Sequence, residues 1–242
     1  MRIASKTDVG LVRSNNQDSF VAGPIGENSA WAVVCDGMGG VGGGNIASSL
    51  AIKTISDAVI SSFRTNMTDN SIRLLFKSAF SAANVKILNR SSEDEALKGM
   101  GTTAVAAVVC DKTAHIVHVG DSRAYILKDG DLMQITRDHS IVQSMLEQGE
   151  IDAEQAKHHP RKNIITRAIG VLETIEPEYN EIELSDNDII LLCTDGLTNF
   201  VEDNRIKKIL IDTNFEDIPT VLVDEANKNG GGDNITAVVL SH

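Results

Sequence analysis

The chain has 242 residues, 42% of them hydrophobic, and 34 Asp and Glu against 22 Lys and Arg give a net charge of -12. That length suits one large domain over residues 1–242, and the acidity argues against wholesale nucleic-acid binding. The polar start Met1-Arg2-Ile3-Ala4-Ser5-Lys6 is unlike a signal peptide, and no apolar run reaches the ~20 residues of a membrane span, so a cytoplasmic protein is expected.

Residues 2–10 alternate loosely and predict an edge strand. A polar turn through Arg13 and Asp18 then enters a strand at 19–22. Taken alone, Arg13 is an ordinary surface charge and Asp18 a turn cap. Residues 30–35 form a short apolar run that ends in Asp36-Gly37-Met38-Gly39-Gly40, with Asn45 placed to cap a following helix. That helix carries Ala47, Leu50, Ala51, Ile55, Ala58 and Val59 at helical spacing. A second, capped among Thr68, Asp69 and Asn70, carries Ile72, Leu75, Phe76, Ala79, Ala83 and Ile87. Residues 91–98 read as a charged loop.

Strands are predicted at 101–109 and 113–119. His115 and His118 of the latter are odd-spaced and should face opposite ways, which disfavours their sharing one ion. Gly120-Asp121-Ser122-Arg123 is a tight turn into a strand at 124–127, and Asp129-Gly130 marks a hairpin. Residues 137–169 depart from this pattern with a short amphipathic helix and the basic cluster Lys157-His158-His159-Pro160-Arg161-Lys162, which suggests a flap. A strand at 188–194 delivers Asp195-Gly196, repeating the design of Asp36-Gly37. Two helices follow, with Pro219 in the first turn of the second, and Gly230-Gly231-Gly232-Asp233-Asn234 feeds a last strand at 235–240.

Cys35, Cys110 and Cys193 each sit in an apolar run and read as small buried hydrophobes of a reducing compartment. None has Arg six positions on, so a thiol nucleophile in a Cys-x5-Arg loop has no support. The aspartates are more telling. Asp18, Asp36, Asp121, Asp195 and Asp233 all lie at strand-to-turn junctions. An acid at the mouth of a buried strand is costly unless a cation or hydrogen bonds meet it. Oxygen-only ligands suit Mg²⁺ or Mn²⁺ better than zinc.

The ordered set Arg-x-x-Asn-Gln-Asp, Asp-Gly-Met-Gly-Gly, Gly-Thr-Thr, Gly-Asp-Ser-Arg, Thr-Asp-Gly and Gly-Asp-Asn strongly resembles the PPM/PP2C metal-dependent protein serine/threonine phosphatases, most of all their compact bacterial members. The resemblance spans residues 3–239. It implies an α+β fold, a four-layer αββα sandwich of two central antiparallel sheets. It also implies hydrolysis of phosphoserine and phosphothreonine in proteins by a hydroxide bridging two Mn²⁺ or Mg²⁺ ions. By the same resemblance Asp36 bridges the ions, the Gly37 carbonyl joins one, Asp195 and Asp233 hold the other, and Asp18 acts through waters. Asp121 supports a weaker third ion, and Arg13 grips the phosphate. Phosphorylated proteins are the implied partners, with a cognate Ser/Thr protein kinase opposing the enzyme and the chain acting as a monomer.

Three positions depart from the family pattern. Met38 and Val41 stand where animal and bacterial relatives respectively carry His, and Asn45 where a Glu is common. None is an implied metal ligand, so the acid for the leaving group is the element in question, and water held at Asp121 is the expected source. Two alternatives are a small-phosphoester hydrolase on the same scaffold and an inactive phosphoprotein-binding module. The second would be expected to lose metal aspartates, which are all present here.

Overall fold

A computed structural model describes residues 1–26, 28–40 and 42–241. In chain order the elements are β1 (Arg2–Asp8), β2 (Asp18–Pro24), β3 (Ser29–Met38), α1 (Gly43–Ser62), α2 (Asp69–Glu93), β4 (Gly101–Thr102), β5 (Ala104–Cys110), β6 (Thr113–Val119) and β7 (Arg123–Lys128). There follow β8 (Asp131–Gln134), α3 (Ile141–Glu147), α4 (Ala153–Lys157), β9 (Glu178–Glu183), β10 (Ile189–Cys193), α5 (Asp195–Thr198), α6 (Asp203–Asp212), α7 (Ile218–Lys228) and β11 (Ile235–Ser241). One sheet runs β1-β11-β10-β7-β8 and the other β2-β3-β5-β6-β9, with β4 beside β3. All these pairings are antiparallel.

Strand alternation sorts the core into layers, because successive side chains point to opposite faces of a sheet. Trp31, Val33 and Cys35 of β3 pack under α1 and α2 with Ile55, Phe76 and Phe80. Their neighbours Ala30, Ala32 and Val34 face the other sheet and meet Ile190, Leu192, Val238 and Leu240. On the far side Leu191, Cys193, Ala237 and Val239 pack with Ile206, Ile209, Leu222 and Val223 of α6 and α7. The result is the expected αββα sandwich. Each fully buried Ile or Leu of the middle layer contributes roughly 1.5–3 kcal/mol through burial.

The same alternation, carried one or two residues further, makes the seam between the sheets polar at one rim. Asp36 continues the Val34 face of β3, and Asp18 continues the Phe20 face of β2. Thr194 and Thr236 do so beside β10 and on β11. Asp18 and Asp36 are direct cross-strand partners.

Several local expectations hold. Thr68 caps α2 by accepting from Ser71 N at 3.3 Å. Pro219 lies in the first turn of α7. Asp129 and Gly130, with φ of 53° and 81°, form the tight β7–β8 turn. Others need correction. Helix α1 starts at Gly43 with Gly42 as its N-cap, so Asn45 lies exposed inside the first turn and caps nothing. Helix α2 continues to Glu93, which absorbs the start of the expected loop, and a 3-10 turn at Glu95–Leu97 absorbs more of it. Strand β9 and helices α4 and α5 lie outside the sequence expectations. The polar run of β9, Glu-Tyr-Asn-Glu-Ile-Glu, does not look like a core strand because it lies at a sheet edge, where charges are tolerated and discourage further pairing. Val41, one of the three departures, lies outside the described residues.

The Asp36-Gly37 and Asp195-Gly196 pairs owe their glycine to close backbone approach. A Cβ on Gly37 would lie 2.1 Å from the Gly44 carbonyl oxygen, and one on Gly196 would lie 1.9 Å from that of Asn234. No relaxed side chain accommodates such contacts. Gly196→Ala should therefore lower Tm and activity together, whereas Gly23→Ala, with nothing within 4 Å of its added Cβ, should leave Tm nearly unchanged. Parallel thermal melts check this, and equal Tm values for the two variants would contradict it.

Candidate active site

At the polar rim a cavity of about 260 Å³ is lined by Arg13, Asp36, Gly37, Asp121, Asp195 and Asp233, together with Met38. Six of the seven residues singled out from the sequence thus meet in one place although they are scattered along the chain. Asp36 and Gly37 end β3, Asp121 sits in the turn between β6 and β7, and Asp195 opens α5. Asp233 lies in the turn before β11, and Arg13 comes from the β1–β2 loop. The seventh, Asp18, stands behind this wall. It is buried, and its Oδ2 accepts from Thr194 Oγ1 at 2.9 Å and Thr236 Oγ1 at 2.7 Å.

So many carboxyl groups cannot all be charged there without compensation. Burial pushes the Asp18 carboxyl from its ordinary 3.8 up to about 7; Asp195 and Asp233 add to this, and the two threonine hydrogen bonds oppose it. Asp36 is raised by burial and then by the charges of Asp18 and Asp195. Asp121 is raised by burial and by Asp195. Asp195 is raised by burial and by Asp233, with a hydrogen bond to Asp36 acting the other way. Two buried oxygens, Asp18 Oδ1 and Asp195 Oδ1, have no hydrogen-bond partner among the described residues. Oxygen-only donors with unfilled acceptor sites fit hard divalent cations.

Neutral groups hold the acids in place. Asp36 N donates to Thr103 Oγ1 at 3.0 Å, and the Asp36 carbonyl accepts from Thr102 Oγ1 at 2.8 Å and Thr103 N at 2.9 Å. Asn199 Nδ2 donates to Asp195 Oδ2 at 2.9 Å. Asn234 ties the Arg13 loop to β11: its Oδ1 accepts from Gln17 N at 2.8 Å, and its Nδ2 donates to the carbonyls of Val9 and Asn15 at 2.9 and 3.0 Å. Arg13 itself, half-exposed, donates from Nη2 to Asp233 Oδ2 at 2.9 Å. Arg123 does not pair with Asp121; its guanidinium clasps both oxygens of Asp138, the shortest contact being 2.7 Å.

The 137–169 excursion carries α3 and α4, and its Asn163 and Ile165 also line the cavity. Its base is pinned next to Asp121. Gly120 N donates to His139 Nδ1 at 3.1 Å, His139 Nε2 lies 2.9 Å from Glu178 Oε1, and the His118 ring stacks on His139 at 4.7 Å. Burial holds His139 down at about 4, so it is the neutral imidazole that accepts from Gly120. His158 pairs with Glu154, and neither His158 nor His159 lines the cavity. Sequence reasoning missed Thr194, Thr236, Asn199, Asn163 and Ile165. The two threonines had a signal: each is a polar residue on the inward parity of an otherwise apolar strand. Asn163 and Ile165 had none.

Comparison with known proteins gives a match to the family described as protein phosphatase 2C over residues 12–229. The chain is 37% identical over 242 residues to protein phosphatase PhpP of Streptococcus pneumoniae, covering 100% of this chain and 97% of the relative. It superposes on the serine/threonine phosphatase PstP/Ppp of Mycobacterium tuberculosis with a TM-score of 0.90 at 35% identity, covering 100% of this chain and 99% of that one. A crystal structure of the PstP catalytic domain in complex with two manganese ions matches with a TM-score of 0.86 at 34% identity, covering 98% and 96% of the two chains.

The raised carboxyl of Asp18 has a measurable consequence. A group whose folded pKa lies above its unfolded value adds stability below the unfolded pKa and loses it as pH rises through the folded one. For Asp18 that window runs from 3.8 to about 7. Asn at this position keeps acceptors for both threonines but does not titrate. In metal-free protein, Tm of the wild type relative to Asp18→Asn should fall by several degrees between about pH 5 and pH 8. A pH-independent difference in paired melts would refute it.

Proposed function

Because the chain belongs to the protein phosphatase 2C family, we propose that it hydrolyses phosphoserine and phosphothreonine in proteins at the Asp36–Asp195–Asp233 rim. The observation that carries this is the convergence of Asp36, Asp121, Asp195 and Asp233 with Arg13 in one cavity, with unfilled buried acceptor sites on Asp195 and on Asp18 behind the wall. Asp36, the Gly37 carbonyl, Asp195 and Asp233 would hold two cations, Asp121 a weaker third, and Asp18 would act on them through water. The manganese complex of PstP supports Mn²⁺, and Mg²⁺ suits the same oxygen set. When bound, such ions lower the pKa of water towards neutrality and offset charge on the phosphoryl oxygens.

The protein's own groups do the rest. Arg13 rests on Asp233 and has a planar fork that matches two phosphate oxygens, so an arriving phosphate competes with Asp233 for it. Thr102 and Thr103 fix the Asp36 backbone, and Thr194 and Thr236 fix Asp18, so the acids need little reorganisation when substrate arrives. Among the described residues no histidine lines the cavity, and Met38 has no proton to give. Water held at Asp121 is therefore assigned to protonate the departing seryl or threonyl oxygen. Exposed Arg161 and Lys162 on the excursion that supplies Asn163 and Ile165 suit acidic stretches of a protein substrate. The same proposal has the chain act as a single-domain monomer in the cytoplasm, opposite a Ser/Thr protein kinase. Free Cys35, Cys110 and Cys193 are in keeping with a reducing compartment.

Two variants test these assignments together. Asp36→Asn should abolish Mn²⁺-dependent hydrolysis of both a phosphopeptide and an aryl phosphate. Asp121→Asn should cut phosphopeptide turnover by about 10²–10⁴-fold and spare the aryl phosphate, whose leaving group needs little protonation. Asp36→Asn fully active at saturating Mn²⁺ would sink the metal assignment. Equal losses on both substrates for Asp121→Asn would sink the acid assignment.

A further inference from the structure

The odd spacing of His115 and His118 sends His118 into the seam and His115 to the helix-facing side of β6. There His115 is fully buried, with 0% of its surface exposed. Glu181 of β9 stands directly opposite it in the β6–β9 register, and Asp69 opens α2 across the way. Ligand atoms of the three side chains lie within 4.8 Å of one another.

The hydrogen-bond directions decide what His115 presents. Its Nδ1 lies 2.8 Å from Tyr179 Oη, and that hydroxyl spends its one proton on Glu181 Oε2 at 3.1 Å. Nδ1 must then be the donor, which leaves the lone pair on Nε2. Nε2 is buried and has no hydrogen-bond partner among the described residues, and it lies 3.8 Å from Asp69 Oδ1. Burial pulls the imidazole below its ordinary 6.5, against the carboxylates of Asp69 and Glu181. An imidazole lone pair facing carboxylates is an arrangement of acceptors with no donor. It calls for a cation.

We propose that Asp69, His115 and Glu181 bind one divalent transition-metal ion, Zn²⁺ by preference, in a site separate from the aspartate rim. A nitrogen ligand with two carboxylates suits zinc, whereas the rim offers oxygen alone. Tyr179 holds the imidazole tautomer from outside, as the partners of metal-bound histidines do. The ion would tie the first turn of α2 to edge strand β9, the strand whose Glu178 anchors His139 at the base of the excursion. The neighbouring trio His118, His139 and Glu178 does not offer the same opportunity. Arg167 Nη1 already donates to Glu178 Oε1 at 3.0 Å, and His139 Nδ1 is filled by Gly120 N.

The test uses full-length protein saturated with Mn²⁺ and then titrated with Zn²⁺. Calorimetry should find one zinc ion per chain that Asp69→Asn and Glu181→Gln, both at exposed positions, lose or bind at least about tenfold more weakly. Tyr179→Phe should weaken it by about 10–100-fold. Mn²⁺-dependent activity should not change in Asp69→Asn or Glu181→Gln. Anomalous diffraction from zinc-soaked crystals should place a peak between the three side chains. Zinc stoichiometry and affinity unaltered in both exposed variants, or no anomalous peak at His115, would overturn the proposal and leave His115 as a buried neutral imidazole donating to Tyr179 Oη.

Discussion

Asp18 and Asp36 face each other across the β2–β3 ladder, while Asp195 and Asp233 close in from the ends of β10 and β11, so carboxyl groups converge at the rim of an otherwise aliphatic seam. Like charges directly opposite one another destabilise a sheet, and burial makes each harder to ionise. The directions of the shifts at Asp18, Asp36 and Asp195 record that conflict. Proteins tolerate such a cluster where something positive is bound there, and the chemistry of the site follows from the same repulsion that makes it costly.

What keeps the cluster assembled is the apolar sandwich behind it. The middle layer of Val34, Ile190, Leu192 and Val238 fixes the two sheets face to face. Each strand then delivers its next inward residue to a set position at the rim. Neutral hydrogen bonds finish the placement without adding charge: Thr194 and Thr236 on Asp18, Thr102 and Thr103 on the Asp36 backbone, Asn199 on Asp195. Asn234 does for the Arg13 loop what the threonines do for the acids, and it brings the only cationic side chain of the cavity wall among the described residues to Asp233.

Much of this was legible along the chain because apolar strands ending in Asp-Gly are locally encoded. The strand supplies burial, and the glycine supplies the close approach measured at Gly37 and Gly196. The odd spacing of His115 and His118 was likewise sufficient to separate them. What stayed hidden depends on the tertiary fold. Strand β9 carries an edge strand's charges, α5 is one turn long, and Asn163 and Ile165 reach the cavity only because the excursion folds back over it. Asn45 misled because the glycines before it start the helix without a side-chain cap. Arg123 lies two residues from Asp121 along the chain, yet Asp138, fifteen residues on, is the acid that takes it.

If repulsion among buried carboxyl groups governs the site, cations must displace protons when they bind. Calorimetric titration of Mn²⁺ into metal-free protein near neutral pH, in buffers of differing ionisation enthalpy, counts those protons directly. About one proton or more should be released per chain, fewer as the pH is raised, and Asp18→Asn should reduce the number. Binding with no proton release at any pH between about 6 and 8 would contradict the account.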